Sequence, residues 1–168
     1  MTAPHTRRRL VGLAAVLVLV LAASSSAGAR ADGGHGTRQV RFSTTAQLVG
    51  GDSGCDPTTP ARCAGTFRSV RTYTGDIEGT AYVVGSAALL PDGTYQGQDI
   101  AQFTGTIAGC GTGTLVIIET GILDPATGSE HGTWTITAGQ GTGDLAQVSG
   151  SGSADSQAGG AVGQLRCR

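Results

Sequence analysis

The residues that could carry acid–base chemistry in this sequence are three carboxylates within β-forming stretches, Glu119, Glu78 and Asp99. Glu119 follows the apolar run LVII, the most apolar of the chain after its N-terminal segment. Counting every second residue places Glu119 on the strand face of Leu115 and Ile117, which favours the interior. A carboxylate removed from water has a raised pKa and can act as a general acid or base. The alternative is a surface carboxylate paired with an arginine.

The other candidates for this chemistry are weaker. Glu78 alternates with Tyr82 on the face opposite Tyr73, which favours a surface position at the end of a hairpin. Tyr82 can donate a hydrogen bond to a bound carbonyl, although tyrosines of small barrels usually lie in the core or at the rim. His131 precedes the run Gly-Thr-Trp and favours a structural role over proton transfer, while Trp134 is expected in the core.

Several familiar catalytic motifs are absent from this sequence or incomplete in it. The sequence contains no lysine, which excludes Schiff-base catalysis and a Walker-type phosphate loop. The run Gly-Asp-Ser-Gly at residues 51–54 is similar to the nucleophile stretch of trypsin-like proteases, but Cys55 stands where that motif needs a glycine. The Gly-x-Gly-x-Gly runs at 109–113 and 139–143 lack the dinucleotide-binding fingerprint and favour turns. The sequence therefore predicts no cofactor.

Four cysteines favour disulfides over a metal site. There is no C-x-x-C pair, and His35 and His131 are the only imidazoles after the N-terminal segment, so no metal site is expected. An even count in an exported protein indicates disulfides, and four cysteines allow three connectivities. We favour Cys55–Cys63, which closes a short proline-containing loop, together with Cys110–Cys167.

The N-terminus has the organisation of an export signal. Three arginines, Arg7–Arg9, precede 14 apolar residues, Leu10–Ala23, and a small-residue stretch follows. Cleavage is expected after Ala31, with Ala29 as the second choice. The apolar run is short for a spanning helix, which needs about 20 residues. We predict a secreted protein that uses the general secretory route, with the twin-arginine route as the alternative.

Removal of residues 1–31 changes the charge of the chain. It takes away four of the eleven arginines, which leaves seven against twelve acidic residues and a net charge near −5. An acidic surface disfavours nucleic acid and, after cleavage, an anionic membrane as partners.

The remaining chain predicts one all-β domain at residues 38–168, after a flexible lead-in at 32–37. Short β-prone runs alternate with turn signals, of which Pro91-Asp92-Gly93 is the strongest, and a disulfide-pinned loop is expected at 50–63. Eight strands are predicted: 38–46, 64–76, 79–90, 93–106, 113–122, 130–138, 148–154 and 161–167. An echo at an offset of 30 residues, YTGDIEG and FTGTIAG, indicates a repeated hairpin unit. Glycines within strands permit the coiling of a small barrel, and eight strands suit closure.

Five blocks in this order resemble a bacterial family of unknown function that is grouped with the allene oxide cyclase-like, or calycin-like, barrels. The blocks lie between residues 64 and 154: YTGDIEGT, DGTY, FTGTI, HGTW and GTGDL. The resemblance implies a single eight-stranded antiparallel β-barrel. The family has no assigned reaction, and a shared barrel does not transfer the chemistry of the plant cyclases or dirigent proteins. The cysteine-bearing insert at 50–63 departs from the family pattern.

Two functions follow as hypotheses. The first is a non-enzymatic exported barrel that binds a small apolar ligand or a protein partner, with a cavity lined by apolar residues and few convergent polar groups. The second is an isomerase or cyclase, which requires Glu119 or another carboxylate to face a tyrosine across an interior pocket. The scarcity of aromatic residues (one Trp, three Tyr and three Phe) and of titratable residues within strands favours binding over catalysis. Neither the ligand nor the oligomeric state follows from the sequence.

Overall fold

The protein folds as an antiparallel sheet closed into a ring, as shown by a computed structural model that describes residues 36–55 and 63–167. The strands are β1 (Thr37–Cys55), β2 (Cys63–Gly75), β3 (Ile77–Leu89), β4 (Tyr95–Ile107), β5 (Gly111–Asp124), β6 (Ser129–Ile136), β7 (Thr142–Gly143), β8 (Ser149–Asp155) and β9 (Gly160–Arg166). Their order is β4-β3-β2-β1-β9-β8-β6-β5, and pairing of β5 with β4 closes the ring. The two-residue β7 pairs with the beginning of β5. The ring confirms the predicted eight-stranded antiparallel barrel.

Some of the predictions fall outside this region. The predicted signal segment at 1–31 and most of the lead-in at 32–37 lie outside the described residues. Within the described residues, no helix has the length and apolar character needed to cross a membrane.

Strand β1 joins the first part of the chain to the last, and we call its pairing with β9 the seam of the ring. Its residues Thr37–Phe42 pair with β9, and from Phe42 to Cys55 it pairs with β2. A bulge between Leu48 and Gly50 shifts the register, and the pairing with β2 then continues.

The expected loop at 50–63 is therefore shorter than the sequence indicates. Residues 50–55 extend β1, so only residues 56–62 lie between β1 and β2. Gly51 permits this pairing because a Cβ there would lie 2.5 Å from the carbonyl oxygen of Thr66. The Gly-Asp-Ser-Gly run at 51–54 thus lies in a strand and not in the expected loop.

The predicted Asp-Gly turn joins β3 to β4. Gly93 has a φ of 88°, and its N–H donates to the carbonyl oxygen of Leu90 at 3.0 Å. The carboxylate of Asp92 accepts hydrogen bonds from the N–H and the hydroxyl of Thr94, which lower the pKa of Asp92.

The centre of the barrel is filled by four aromatic side chains. Phe42 lies 5.5 Å from Trp134 and 5.8 Å from Tyr73 between ring centroids, and Tyr73 lies 5.3 Å from Phe103. All four are buried, which confirms the prediction that Trp134 is a core residue. Edge-to-face and tilted pairs of this kind favour a rigid centre.

Interior glycines make room for these rings. A Cβ on Gly163 would lie 2.3 Å from Cζ2 of Trp134, and one on Gly152 would lie 2.6 Å from the same atom. On the other side of the barrel, a Cβ on Gly105 would lie 2.6 Å from Cζ of Phe103. Each ring therefore packs directly against glycine backbone inside the barrel.

The two ends of the barrel differ in chemistry. We call one the apolar end; its side chains are fully buried aliphatic residues: Ile77, Ile107, Leu145, Val148 and Leu165. The Cys110–Cys167 disulfide, confirmed here, joins the β4–β5 turn to the end of β9 beside this layer. We call the other the polar end; it carries the turns at 90–94, 125–128 and 156–159 and the β1–β2 hairpin.

The second predicted disulfide stays a prediction. The backbone register places Cys55 directly opposite Cys63 on β1 and β2. Their side chains lie outside the described residues.

The contact between Trp134 and the glycines predicts a large effect from a small substitution. Gly163→Ala forces the added methyl group against the indole ring and the carbonyl oxygen of Ser151, so the free energy of unfolding should fall by about 1–3 kcal/mol. Urea unfolding followed by the fluorescence of Trp134, the only tryptophan of the chain, measures the change. Gly54→Ala is the control, since a Cβ there meets no atom within 4 Å, and it should change the free energy by less than about 0.5 kcal/mol. Equal effects of the two substitutions would contradict the packing argument.

Candidate functional site at the polar end of the barrel

Two carboxylates face each other inside the polar end. Asp99 of β4 is paired directly with Glu119 of β5, and both side chains lie on the inward face of their strands. Like charges directly opposite on neighbouring strands destabilise a sheet. The sheet therefore needs a cation between these two residues.

Arg71 of β2 supplies that cation. Its Nη2 donates to Oδ2 of Asp99 at 2.9 Å, and its Nη1 lies 2.6 Å from Oε2 of Glu119. The second contact is a close ion pair without hydrogen-bond alignment. One guanidinium thus spans both carboxylates and is itself buried.

Tyr73 joins this cluster to the aromatic centre. It follows Arg71 by two residues on β2, so both side chains point inward. The hydroxyl of Tyr73 donates to Oε1 of Glu119 at 3.3 Å, while its ring packs between Phe42 and Phe103.

A third carboxylate, Glu130, lies at the same end. Its N–H donates to the hydroxyl of Ser156 at 2.9 Å, which fixes the start of β6 beside the β8–β9 turn. Its side chain is half-buried on the inward face of β6, where the charges of Arg71 and Glu119 influence its pKa. We call Arg71, Tyr73, Asp99, Glu119 and Glu130 the acid–arginine cluster.

The cluster leaves polar atoms without protein partners. Among the described residues, Oδ1 of Asp99 is buried and accepts no hydrogen bond. Nε1 of Trp134 is also buried, and its N–H donates no hydrogen bond within the described part of the chain. Trp134 is paired directly with Glu119 on the neighbouring strand. Buried polar groups are usually satisfied, so such atoms indicate a missing partner or a functional role.

Burial sets the proton affinities of the acids. Burial raises the pKa of Asp99 to about 6; the negative charge of Glu119 adds to this rise, and Arg71 opposes it. Burial also raises the pKa of Glu130, against the effect of Arg71.

The donors of the cluster hold their protons. Burial disfavours the charged form of Arg71, but the charges of Glu119 and Asp99 outweigh it and raise the pKa of the guanidinium. Burial and the charge of Glu119 raise the pKa of Tyr73. At neutral pH, Arg71 is therefore charged and Tyr73 is neutral.

Of the candidates Glu119, Glu78, Tyr82 and His131, the structure places Glu119 in the cluster, together with Asp99, the further carboxylate noted within a β-forming stretch of the sequence. Glu119 lies on the inner face, as the period-two count indicates, and faces a tyrosine. Glu78, Tyr82 and His131 are exposed on the outer face and are not brought together. Tyr82, 45% exposed, belongs instead to an outer strip of apolar side chains: Val70, Tyr82, Val84 and Ile100.

Sequence reasoning missed Arg71 and Tyr73 as partners of Glu119, and Glu130 as a further acid. Counting every second residue could have indicated an inward Arg71, because it places Arg71 and Tyr73 on the same strand face, opposite the face of Glu78 and Tyr82. Arginine is rarely buried, so its type argued against the interior. Among the described residues, no group of three His, Cys, Asp or Glu side chains has the arrangement needed to hold a metal ion.

Comparison with known proteins places the fold. A family model described as a protein of unknown function (DUF3224) matches residues 35–166. The crystal structure of a DUF3224 protein of unknown function from Shewanella oneidensis MR-1 is similar, with 16% sequence identity and a TM-score of 0.56, over 78% of this chain and 94% of that chain. This identity supports the shared fold alone. No functionally curated protein matches the sequence.

The raised pKa of Asp99 predicts an inverted pH dependence of stability. The folded protein binds this proton more tightly than the unfolded chain, so the stabilisation is complete at pH below about 4 and is lost as the pH rises to about 6. We expect the free energy of unfolding, relative to the Asp99→Asn variant, to fall by about 2 kcal/mol between pH 4 and pH 7. Urea unfolding of both proteins at each pH measures the difference.

The comparison with Asp99→Asn removes other contributions. Hydrogen bonds within turns lower the pKa values of Asp92 and Asp124, so these two residues add stability as the pH rises. Their contribution is the same in the native protein and in the variant, so it cancels in the difference. If the native protein gains stability over the variant as the pH rises, Asp99 behaves as an ordinary ion-paired carboxylate and the assignment is wrong.

Proposed function

The chain belongs to the DUF3224 family of proteins of unknown function, and we propose that it is an exported barrel that binds a small organic molecule at its polar end. The export proposal rests on the signal-like residues 1–31 and on the Cys110–Cys167 disulfide, which suits an oxidising compartment.

The observation that carries the binding proposal is the acid–arginine cluster itself. Replacing a buried ion pair by apolar residues of similar volume is often neutral or stabilising, so such a cluster is weak evidence for a role in stability. Perturbed ionisable groups gathered at one place are typical of functional sites. Here they occur at one end of an interior that is otherwise filled by aromatic and aliphatic side chains.

The cluster is within reach of solvent from that end. The side chain of Glu119 is 23% exposed and that of Asp99 is 11% exposed, whereas the aromatic layer beneath is fully buried. A ligand entering at the polar end would therefore meet carboxylates first and the aromatic rings behind them. An apolar ligand, the sequence-based hypothesis, needs an additional polar group to satisfy Oδ1 of Asp99.

Gly97 offers a way to block this entrance. It precedes Asp99 by two residues on β4, so its face is inward and nearer the β3–β4 turn. A Cβ at Gly97 would lie 3.4 Å from the carbonyl oxygen of Ser86 and 3.7 Å from Cβ of Ala87, which are ordinary contacts. A larger side chain there can fill the mouth without a backbone clash at its first atom.

We expect Gly97→Leu to abolish binding at the polar end. Ligand-observed NMR with a panel of small organic probes should show probes bound to the native protein and none to this variant. Gln98→Leu is the matched control: it adds the same side chain one residue away on the exposed outer face, and it should retain all binding. If Gly97→Leu binds the same probes, the site lies elsewhere; if the native protein binds no probe, the proposed function is wrong.

A second candidate function, acid–base catalysis, is favoured by one contact. Glu119 faces Tyr73 inside the barrel, as the isomerase or cyclase hypothesis requires, whereas Tyr82, the tyrosine proposed as a candidate from the sequence, lies on the outer face. Asp99 adds a carboxyl group with a pKa of about 6, suited to proton transfer near neutral pH. The resemblance to allene oxide cyclase-like barrels belongs to this alternative.

Acid–base catalysis predicts hydrogen exchange in a bound ketone. Cyclohexanone incubated with the protein in D2O should lose its α-hydrogen signal in proton NMR, and Glu119→Gln should slow that loss about 100-fold. Glu78→Gln, which removes an exposed carboxylate of the outer face, should leave the rate unchanged. If cyclohexanone binds but its α-hydrogens exchange no faster than in buffer, catalysis is rejected and binding remains the proposed function.

A further inference from the structure

We propose that the ligand of the polar end is an organic cation, a protonated amine with a small apolar body. This inference rests on the proposed binding function and names the class of molecule that the same site accepts.

The first argument is the charge of the cluster. Asp99 and Glu119 both pair with the guanidinium of Arg71, and a third carboxylate, Glu130, lies half-buried on the inward face of β6 and interacts electrostatically with Arg71 and Glu119. With these four groups ionised, the cluster carries two negative charges in excess. An anionic ligand would add to this charge in a poorly hydrated place, whereas a cation would reduce it.

The second argument is that carboxylates of the protein already lie against both terminal nitrogens of Arg71. Arginine recognises carboxylate and phosphate groups with these two nitrogens. Nη2 donates to Asp99, and Nη1, although it makes no aligned hydrogen bond, lies 2.6 Å from Oε2 of Glu119. Carboxylate and phosphate ligands are therefore disfavoured.

The third argument is independent of the charge count. Asp99 is only 9% exposed, and its Oδ2 accepts a hydrogen bond from Arg71. Its Oδ1 is buried and has no hydrogen-bond donor among the described residues. Its carboxylate is thus directed into the cluster and lacks one donor. An ammonium group carries three donors and a positive charge, and charge-assisted hydrogen bonds to carboxylates are among the strongest in proteins.

The wall beside Asp99 suits the body of such a ligand. Cζ of Phe67 and Cβ of Asp99 both lie over Gly85, within 2.7 Å of the position that a Cβ would take there. Phe67 is partly buried and packs against the core. An aromatic ring next to the anionic site can contact the methylene groups of an alkylamine and attract its charge.

An inorganic cation fits less well. Calcium takes six to eight oxygen ligands, and magnesium requires near-ideal octahedral geometry. Among the described residues, no three acidic, histidine or cysteine side chains are arranged to hold a metal ion. The amine is therefore the cation that these side chains favour.

Three probes of equal shape test the charge of the ligand. Isothermal titration of the native protein at pH 7.5 should show binding of n-hexylamine, binding of n-hexanol at least about tenfold weaker, and no binding of n-hexanoate. Asp99→Asn and Glu130→Gln should each weaken hexylamine binding about tenfold or more. Glu78→Gln, which removes one carboxylate from the outer face, should bind within about twofold of the native protein. Circular dichroism identifies any variant that fails to fold, and the other variant then provides the test.

The outcomes separate this inference from the proposed function. If hexanol or hexanoate binds as tightly as hexylamine, and Gly97→Leu blocks that binding, the site stands and the cation proposal is overturned. Magnesium or calcium chloride that binds alone and displaces hexylamine at equimolar concentration also overturns it. If neither these probes nor the wider panel binds, both proposals are wrong.

Discussion

The rest of the structure depends on the contact between aromatic rings and interior glycines. An eight-stranded barrel has an interior just wide enough for side chains to fill it. Trp134 and Phe103 fit only because Gly152, Gly163 and Gly105 present bare backbone to their rings. The abundance of glycine in this chain is therefore a packing requirement of the centre as well as a property of its turns.

The aromatic layer also separates the acid–arginine cluster from the apolar end of the barrel. With Phe42, Tyr73, Phe103 and Trp134 across the middle, a charged side chain can keep contact with solvent only beyond them. Arg71 lies on that boundary, two residues from Tyr73, and neutralises part of the charge of Asp99 and Glu119. The hydroxyl of Tyr73 is the point at which the apolar centre meets the ionic cluster.

Local sequence patterns predicted much of the fold and one residue of the site. Turn chemistry located the Pro91-Asp92-Gly93 hairpin, and the period of two placed Glu119 inward and Trp134 in the core. Both rules act within a single strand, so they assign a face and not a partner. The pairing of Arg71 on β2 with Glu119 on β5 depends on curvature across the interior, which no local rule contains. The extension of β1 past Gly50 was missed because Gly-Asp-Ser-Gly is typical of turns, while its pairing with β2 depends on a close backbone approach at Gly51.

The seam between β1 and β9 has a consequence for how the molecule acquires its shape. Thr37 pairs with Arg166, so the ring joins residues almost the whole domain apart in sequence. Contacts of such high sequence separation slow folding, because the loop must close before the contacts can stabilise it. A sheet without the β1–β9 pairing would have two unpaired edges. Closure of the interior therefore requires the two most distant segments of the domain to meet.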